Sequence, residues 1–346
     1  MRLPVDRGPL STEVRKVLQA EPGSARAADL VPVAAEALRT TDDLLADDDV
    51  QLTLFVLYEL HHRGFDDVDD RWEWDTGVLA ARGLLERALE STLRERVPVP
   101  DAVPARRRAV ADALFAMTAP RPGPSVARYV WRHAEREQLV ELLVQRSIYQ
   151  LKEADPHTWA IPRLTGAAKA ALVEIQADEY GGGRADRMHS ALFARTMRGL
   201  GLDDTYGRYV DAVPAVTLAS LNTMSMFGLQ RRLRGAITGH LAAFEMTSSL
   251  PNRMYGDGFR RLGADLDTTW YFDEHVEADA VHEQIAGRDL AGGLAEQEPQ
   301  LVADILFGAA ACLYLDDLVG THMLGAWERG ESSLRAPVTA AAEGAA

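Results

Sequence analysis

The sequence predicts an all-α protein. Alanine, leucine, arginine and glutamate dominate its 346 residues, whereas runs of β-branched residues are scarce. The first group favours helices and the second favours strands. Apolar residues recur at helical spacing between breaks rich in proline and glycine. No glycine-rich segment follows a predicted strand, so a nucleotide-binding Rossmann or P-loop site is not expected.

The composition of the chain argues against two classes of binding partner. The net charge of −15 argues against nucleic acid and against an anionic membrane, because both demand a basic surface. The single cysteine, Cys312, excludes an internal disulfide, and its apolar neighbours predict a buried, inert thiol. The first residues lack the apolar core of a signal peptide, and no run of about 18 apolar residues occurs. We expect a cytoplasmic protein, a monomer or a homodimer, that acts on a small molecule.

Two proline-rich stretches supply the predicted domain boundary. VPVPDAVP lies before Ala105, and APRPGP lies after Met117. Such clusters mark loops and linkers. Placing the boundary at the second cluster divides the chain into a helical extension over 1–124, a core over 125–330 and a flexible, alanine-rich tail over 331–346. Helices are expected in the extension near 27–45, 50–63, 78–96 and 106–117.

The core is predicted to open with one long helix. Ser125 is a suitable N-cap, and the amphipathic pattern continues to about Ala154. Asp155-Pro156 is expected to end this helix, because proline disfavours helical geometry in the residue before it. Further helices are expected near 166–180, from 185 onwards, and near 209–229, 231–248, 268–285 and 300–327.

A histidine-rich segment offers the first candidate metal ligands. YFDEHVEADAVHE carries His275, Asp279 and His282 at positions i, i+4 and i+7. On a helix of about 3.6 residues per turn these three side chains share one face. Two imidazoles and a carboxylate form the donor set that non-haem iron favours. The alternative is a solvated acidic face, because four other acidic residues surround the three.

A second segment pairs a glutamate with a histidine. Glu179 lies just before a run of three glycines, and His189 follows ten positions after it. On an unbroken helix the two would lie about 15 Å apart, too far to share a metal ion. The glycines permit a sharp turn that brings them together. The alternative is an ordinary loop and a core histidine.

A third segment, IYQLKEADPHTW, contributes Glu153. A carboxylate in the last turn of an apolar helix opposes the helix dipole, which favours cations at that end. If the carboxylate is buried it needs a partner, and a metal ion is a suitable one. The alternative is a salt bridge to Lys152 or Arg163.

In chain order the three segments present Glu153, then Glu179 with His189, then His275, Asp279 and His282. This order resembles that of the haem-oxygenase-like di-iron oxidases, the iron-containing redox enzyme family. The core helices of that family carry a Glu, then a Glu with a downstream His, then a His-x3-Asp-x2-His motif. The resemblance covers about 128–327, and the helical section before Pro124 is an addition to it.

The resemblance implies a haem-oxygenase-like helical bundle in which these six residues are both metal ligands and catalytic residues. It implies two Fe(II) ions and dioxygen as co-substrate. It also implies an oxidase or oxygenase of natural-product biosynthesis that acts on a small aliphatic metabolite, such as an amino acid or a derivative of one. Desaturation, hydroxylation, N-oxygenation and C–C cleavage all remain open. Second-sphere acceptors for the histidines are expected among Asp178, Glu174 and Asp316.

One rival motif points to a ferritin-like protein. Glu59 and His62 have the Glu-x2-His spacing of ferritin-like di-iron bundles, which would imply iron binding or storage. Such a site needs a second motif of this kind, and only Asp279 with His282 could supply it. The additional His275 suits the other family better, so Glu59 and His62 are predicted not to be ligands.

The sequence says little about the substrate pocket. Arg163, Asn222, Arg253 and Tyr255 are candidate substrate residues, since they stand in segments that mix polar and apolar residues. An arginine among them would hold a carboxylate through two hydrogen bonds. The alternative for each is a surface or packing role.

Overall fold

The computed structural model describes residues 1–23, 25–120 and 122–338, without the side chains of residues 25, 26, 279 and 280. These residues form helices and short 3-10 turns and include no strand, as the composition predicts. The α-helices are α1 (Pro9–Leu18), α2 (Leu30–Thr40), α3 (Asp48–Glu59), α4 (Thr76–Arg96), α5 (Arg107–Thr118), α6 (Val126–Arg132), α7 (Arg136–Gln150), α8 (Asp155–Thr158), α9 (Gly166–Glu179), α10 (His189–Gly199), α11 (Ala215–Leu229), α12 (Arg234–Met246), α13 (Ser249–Arg261), α14 (Leu266–Gln284), α15 (Gly293–Gln297) and α16 (Val302–Glu328).

Aspartate caps begin several helices of the extension. Asp47 accepts hydrogen bonds from the first N–H groups of α3, and Asp75 does the same for α4. Helix α1 was not among the predicted helices, and its N-cap residue, Gly8, has no side chain to accept from the first N–H groups. Its N-terminal N–H groups, those of Leu10 and Ser11, donate instead to Asp49 of α3, at 2.8 and 2.7 Å. A cap supplied by another helix cannot be read from local sequence.

The extension and the predicted core share one continuous set of buried apolar residues. Helix α3 of the extension packs against α11 of the core within this set. There the amide of Asn222 donates to the backbone oxygen of Gln51 at 2.8 Å and to its side-chain oxygen at 2.9 Å. The extension is therefore packed on the core; the boundary at residue 124 stays a prediction.

The prediction of one long helix from Ser125 is wrong, because the chain forms two helices there, α6 and α7. Ser125 does cap α6, where its hydroxyl accepts from the N–H of Arg128, but the chain then breaks and restarts as α7. Gln138 reaches back to the N–H of Glu135 at 2.7 Å and caps the new helix. Arg261 of α13 donates to the backbone oxygens of Val130 and Ala134 and so stabilises the end of α6.

Glu153 lies in a turn, not in the last helical turn as predicted. Helix α7 ends at Gln150, and a turn of four residues follows it. Asp155-Pro156 then begins the short helix α8, because proline fits the first turn of a helix, where its missing N–H is no loss. Ala154, between the turn and α8, has a left-handed backbone with φ 73°.

Two further segments near the site differ from expectation. Residues 249–261, for which no helix was predicted, form helix α13. The segment after α14, Ile285–Gly292, continues as a π-helix and buries Ala286 and Leu290. Wide turns of this kind are common at functional sites.

Part of the predicted tail is packed. The side chain of Ser333 is buried, and its N–H and hydroxyl donate to Glu141 at 2.8 and 2.6 Å. Residues 339–346 lie outside the described residues. Over the described part of the chain, none of the helices combines the length and apolar character needed to cross a bilayer.

Candidate metal centre

The glycine run after α9 brings Glu179 and His189 together. Gly181, Gly182 and Gly183 all have positive φ angles, and a Cβ on Gly181 would lie 2.6 Å from the backbone of Arg187. Only glycine fits this turn without strain. It folds α10 back so that Nδ1 of His189 lies 3.0 Å from a carboxylate oxygen of Glu179.

Glu153 and His275 face the same space from the opposite side. The hydroxyl of Tyr271 donates to Oε1 of Glu153 at 2.9 Å, while Oε2 has no hydrogen-bond partner among the described atoms. His275 directs Nδ1 to the backbone oxygen of Tyr271 at 2.7 Å. Its Nε2 lies 3.7 Å from Oε1 of Glu153. A hydrogen bond at Nδ1 leaves the lone pair on Nε2, the atom that would bind a metal.

His282 faces a carboxylate that the sequence analysis did not identify. Its Nδ1 lies 3.4 Å from Glu245, near the end of α12. Its other ring nitrogen, Nε2, donates to Asp178 at 3.0 Å. An imidazole held by an acceptor on one side presents the other nitrogen as a ligand. Asp178 is one of the three expected acceptors, whereas Glu174 is exposed and Asp316 lies near the charge of Arg146.

Glu179 belongs to two groups of donors. Glu153, Glu179, His189 and His275 offer ligand atoms that all lie within 4.8 Å of one another, and so do Glu179, Glu245 and His282. All members of both groups are buried. The structure thus brings together five of the six predicted ligands. The sixth, Asp279, falls within α14, but its side chain lies outside the described residues.

The charges in this cluster perturb one another. Burial acts to raise the pKa of Glu179, but the nearby His189, His275 and His282 outweigh it and lower the pKa to about 2. Burial acts to lower the pKa of His282, yet Glu245, Asp178 and Glu179 raise it to about 9. Buried carboxylates and imidazoles that lie this close together either share protons or bind a metal ion.

The donor set fits iron. Carboxylates and imidazoles are the ligands of non-haem iron sites, and unpaired buried polar atoms in a native protein require an explanation. Oε2 of Glu153 is such an atom. A metal ion bound in this cluster would satisfy it.

A small cavity adjoins the cluster. Its volume, measured for the centre of a water-sized sphere, is about 10 Å3, which is room for about one water molecule. Two of its polar atoms, Oε1 of Gln176 and Nδ1 of His157, have no hydrogen-bond partner among the described residues. The lining residues are Tyr149, Glu153, Ala154, His157, Gln176, Glu179, Leu241, Phe244, Glu245, Ser248 and His275.

The four predicted substrate residues lie away from this cavity. Arg163 donates to the backbone oxygens of Gly228 and Leu229 at the end of α11. Asn222 is held by the α3 contact described above, and Arg253 is exposed. Tyr255 is buried and accepts a hydrogen bond from Arg146 at 3.1 Å. Their positions support packing and surface roles and give no support to a substrate role.

Glu59 and His62 do not form a metal site with the described residues. Glu59 is fully buried and paired with Lys152, with 2.7 Å between Nζ and the carboxylate. His62 packs its ring edge-on against Trp159. The geometry therefore supports the prediction that neither is a ligand, and it supplies no second motif for a ferritin-like centre.

Sequence reasoning missed Glu245 and Gln176. Glu245 is the only acid in α12, and it stands among apolar residues near the helix end. That is the signal that identified Glu153, so the same argument applied to α12 would have found it. Gln176 gives no such signal, because a glutamine three residues before Glu179 is ordinary on a helix surface. Cys312, by contrast, is buried as predicted.

A helical fold that buries glutamates and histidines on facing helices is typical of proteins that bind iron in a bundle core. Comparison with known families agrees. The chain belongs to the iron-containing redox enzyme family, whose model matches residues 140–317, and its fold is the haem-oxygenase-like all-α fold. The matched family is one of iron-containing redox enzymes.

One curated protein is similar to part of this chain. The chain is 29% identical over 174 residues to a nitrosourea synthase from Streptomyces achromogenes subsp. streptozoticus. The matched region is 49% of this chain and 36% of the relative. The chain therefore matches only about a third of the relative's length.

Proposed function

We propose that the protein is a non-haem di-iron oxidase or oxygenase that uses dioxygen to oxidise a small nitrogen-bearing metabolite in natural-product biosynthesis. The observation that carries this proposal is the position of Glu179 in both donor groups. A carboxylate shared between two groups of buried donors is suited to bridge two metal ions. A single metal would leave one group of buried charges unpaired.

The proposed ligands divide into two sets. Glu153, His189 and His275 would hold one iron, and Glu245 and His282 the other, with Glu179 between them. Asp279 is proposed for the second set from its place in the His-x3-Asp-x2-His motif. With Glu245 included, the four proposed carboxylates would balance the charge of two ferrous ions.

Two ferrous ions would supply two of the four electrons that reduce dioxygen fully, and the oxidised substrate would supply the other two. The protein's own contribution is to limit the space beside the site to about one water molecule and to orient the ligands. Tyr149, Leu241 and Phe244 line the cavity with apolar surface, and the space beside the ligands is small. The hydroxyl of Tyr271 fixes one oxygen of Glu153, which leaves the other oxygen free to bind metal.

The cavity favours a substrate that donates hydrogen bonds from nitrogen. No arginine or lysine is among its described lining residues, so the expected anchor for a substrate carboxylate is not there. Oε1 of Gln176 is an acceptor without a partner, and Nδ1 of His157 is an acceptor in one tautomer. The N–H end of an amine, guanidinium or urea group would satisfy them, since the space admits about one group of the size of a water molecule. The name of the relative, a nitrosourea synthase, favours N-oxygenation over the other three outcomes.

The test begins with protein reconstituted with ferrous iron in the absence of air. We expect about two irons per chain and dioxygen consumption that depends on an amino acid with a nitrogen-rich side chain. Uptake that depends only on a fatty acid would contradict the substrate class and leave the metal site intact. Iron bound in large excess would indicate a storage protein and overturn the proposal.

A variant at Gln176 tests the substrate contact separately. Replacing Gln176 with Leu keeps the size of the side chain but removes the acceptor. We expect unchanged iron content and a KM raised about tenfold or more, because the substrate N–H loses its buried partner. Gln300→Leu, at an exposed glutamine outside the cavity, is the control. Equal KM values for the two variants would show that Gln176 does not contact substrate.

A further inference from the structure

We propose that Glu59 and Arg63, both in the N-terminal extension, are positioning residues that hold the turn carrying Glu153. This inference rests on the proposed function, since it treats Glu153 as an iron ligand. The two residues lie outside the matched region 140–317. The extension would then be part of the metal centre's support.

The first tie is a buried ion pair. Nζ of Lys152, the residue before Glu153, lies 2.7 Å from Oε2 of Glu59. Both side chains are almost fully buried, 1% exposed for Lys152 and 0% for Glu59. The hydroxyl of Tyr206 donates to the same carboxylate oxygen at 2.8 Å. A charge buried this deeply stays where its partner is, because separating the pair would leave two unpaired charges in a low-dielectric interior.

The second set of contacts, made by Arg63, holds the turn on both sides of Glu153. Nη2 of Arg63 donates to the backbone oxygen of Leu151 at 3.2 Å. The same nitrogen lies 3.7 Å from the carboxylate of Asp155. Arg63 itself is linked to Glu59, because its N–H donates to Oε1 of that residue at 3.3 Å. One short segment of the extension therefore contacts Leu151, Lys152 and Asp155.

The turn needs such support because its backbone is strained. Ala154 has φ 73°, which is a left-handed backbone conformation. This conformation is energetically unfavourable for a residue that carries a side chain. Strained residues persist only where their surroundings hold them. The ties from Glu59 and Arg63 flank this residue. Together they fix the direction in which Glu153 leaves the backbone and thus the position of its unpaired Oε2.

The experiment compares two half-exposed arginines of the extension that each tie it to the core. Arg63→Ala removes the contact with the turn, whereas Arg94→Ala removes a 2.9 Å ion pair with Asp304 that does not touch it. The readout is the affinity of each variant for ferrous iron, measured without air by competition with a chromogenic chelator. Circular dichroism and the urea midpoint report on folding.

We expect Arg63→Ala to weaken one of the two iron sites about tenfold or more, the usual effect of losing a group that orients a ligand. Arg63→Lys should restore part of the affinity, because an ammonium can still donate to the backbone oxygen of Leu151. Arg94→Ala should bind iron like the natural protein. Equal affinities for Arg63→Ala and Arg94→Ala would overturn the inference.

Glu59 is tested with a paired substitution, since Glu59→Gln alone would strand the charge of Lys152 and could unfold the chain. Glu59→Gln with Lys152→Met removes both charges. We expect a folded protein with the same weakened iron site as Arg63→Ala. Full affinity in this double variant would also count against the inference. Failure of the proposed function would be recognised separately, because the natural protein itself would then lack two iron sites.

Discussion

Nδ1 of His282 lies 3.4 Å from a carboxylate oxygen of Glu245, two residues that stand on different helices, α14 and α12. If Glu245 is a ligand, Glu245→Gln should reduce iron from about two to about one per chain, because a neutral amide is a poor ligand for iron. Metal analysis after anaerobic loading measures this. Glu277→Gln, at an exposed position on α14, should bind the full amount; a full amount in Glu245→Gln would remove Glu245 from the ligand set.

Replacing Glu179 should reduce the iron content more than replacing Glu153. Because Glu179 belongs to both donor groups, Glu179→Gln should bind less than about half an iron per chain. Glu153 belongs to one group, so Glu153→Gln should keep about one. The measurement is iron content per folded chain. Identical losses in the two variants would argue against a bridging role.

Asp178 orients His282 without belonging to either donor group. Asp178→Asn should lower the affinity for iron about tenfold, because the amide is a weaker acceptor for the imidazole N–H. The urea midpoint should hardly move, since the Asp178 side chain is 62% exposed. Chelator competition measures the affinity, and Glu174→Gln, an exposed acid on the same helix, is the control. A large loss of stability without a loss of affinity would contradict the assigned role.

Stability of the metal-free protein should fall as the pH is lowered from 6.5 to 5. Burial lowers the pKa of His157 to about 4, whereas an unfolded histidine titrates near about 6.5. Between these values the unfolded state binds more protons than the native state, so stability rises with pH. His157 alone contributes about 1.5 kcal/mol over this range.

Urea unfolding at the two pH values checks the sign and the size of this effect. His157→Phe should reduce the difference, while replacing the exposed His133 with Gln should leave it unchanged. The pKa of His282 is raised to about 9, so its contribution is lost only as the pH rises above about 6.5. An unchanged pH dependence in His157→Phe would contradict the burial argument.

The backbone of Ala154 makes a prediction about strain. Ala154→Gly should leave stability unchanged or raise it by up to about 1 kcal/mol, because glycine adopts a positive φ without a clash but loses more entropy on folding. Ala154→Val should lower stability by about 2 kcal/mol or more, because a β-branched residue is strongly disfavoured there. Denaturant midpoints distinguish the two. Equal effects would mean that the turn relaxes in the variants.

The fold class and most of the helices of the core could be predicted from composition and periodicity, since both follow from residue propensities that act locally. The prediction failed where a partner distant in sequence decides the local structure. Asp49 caps α1 from another helix. At the start of the core, Arg261 supports the end of α6 from α13, so that one predicted helix is two.

The sequence by itself determined the donor types, their order and their spacing: a lone glutamate, a glutamate and histidine joined by glycines, and a His-x3-Asp-x2-His motif. Spacing along one helix places side chains on a common face, because the helix repeat is constant. Only the tertiary structure decided which faces meet. It placed Glu245 beside His282 and Gln176 on the cavity, because packing between helices, unlike the repeat within one, depends on every side chain at the contact. In the folded chain Arg163 and Arg253, the arginines expected near the substrate, lie outside the cavity. Glu59 of the extension forms an ion pair with Lys152.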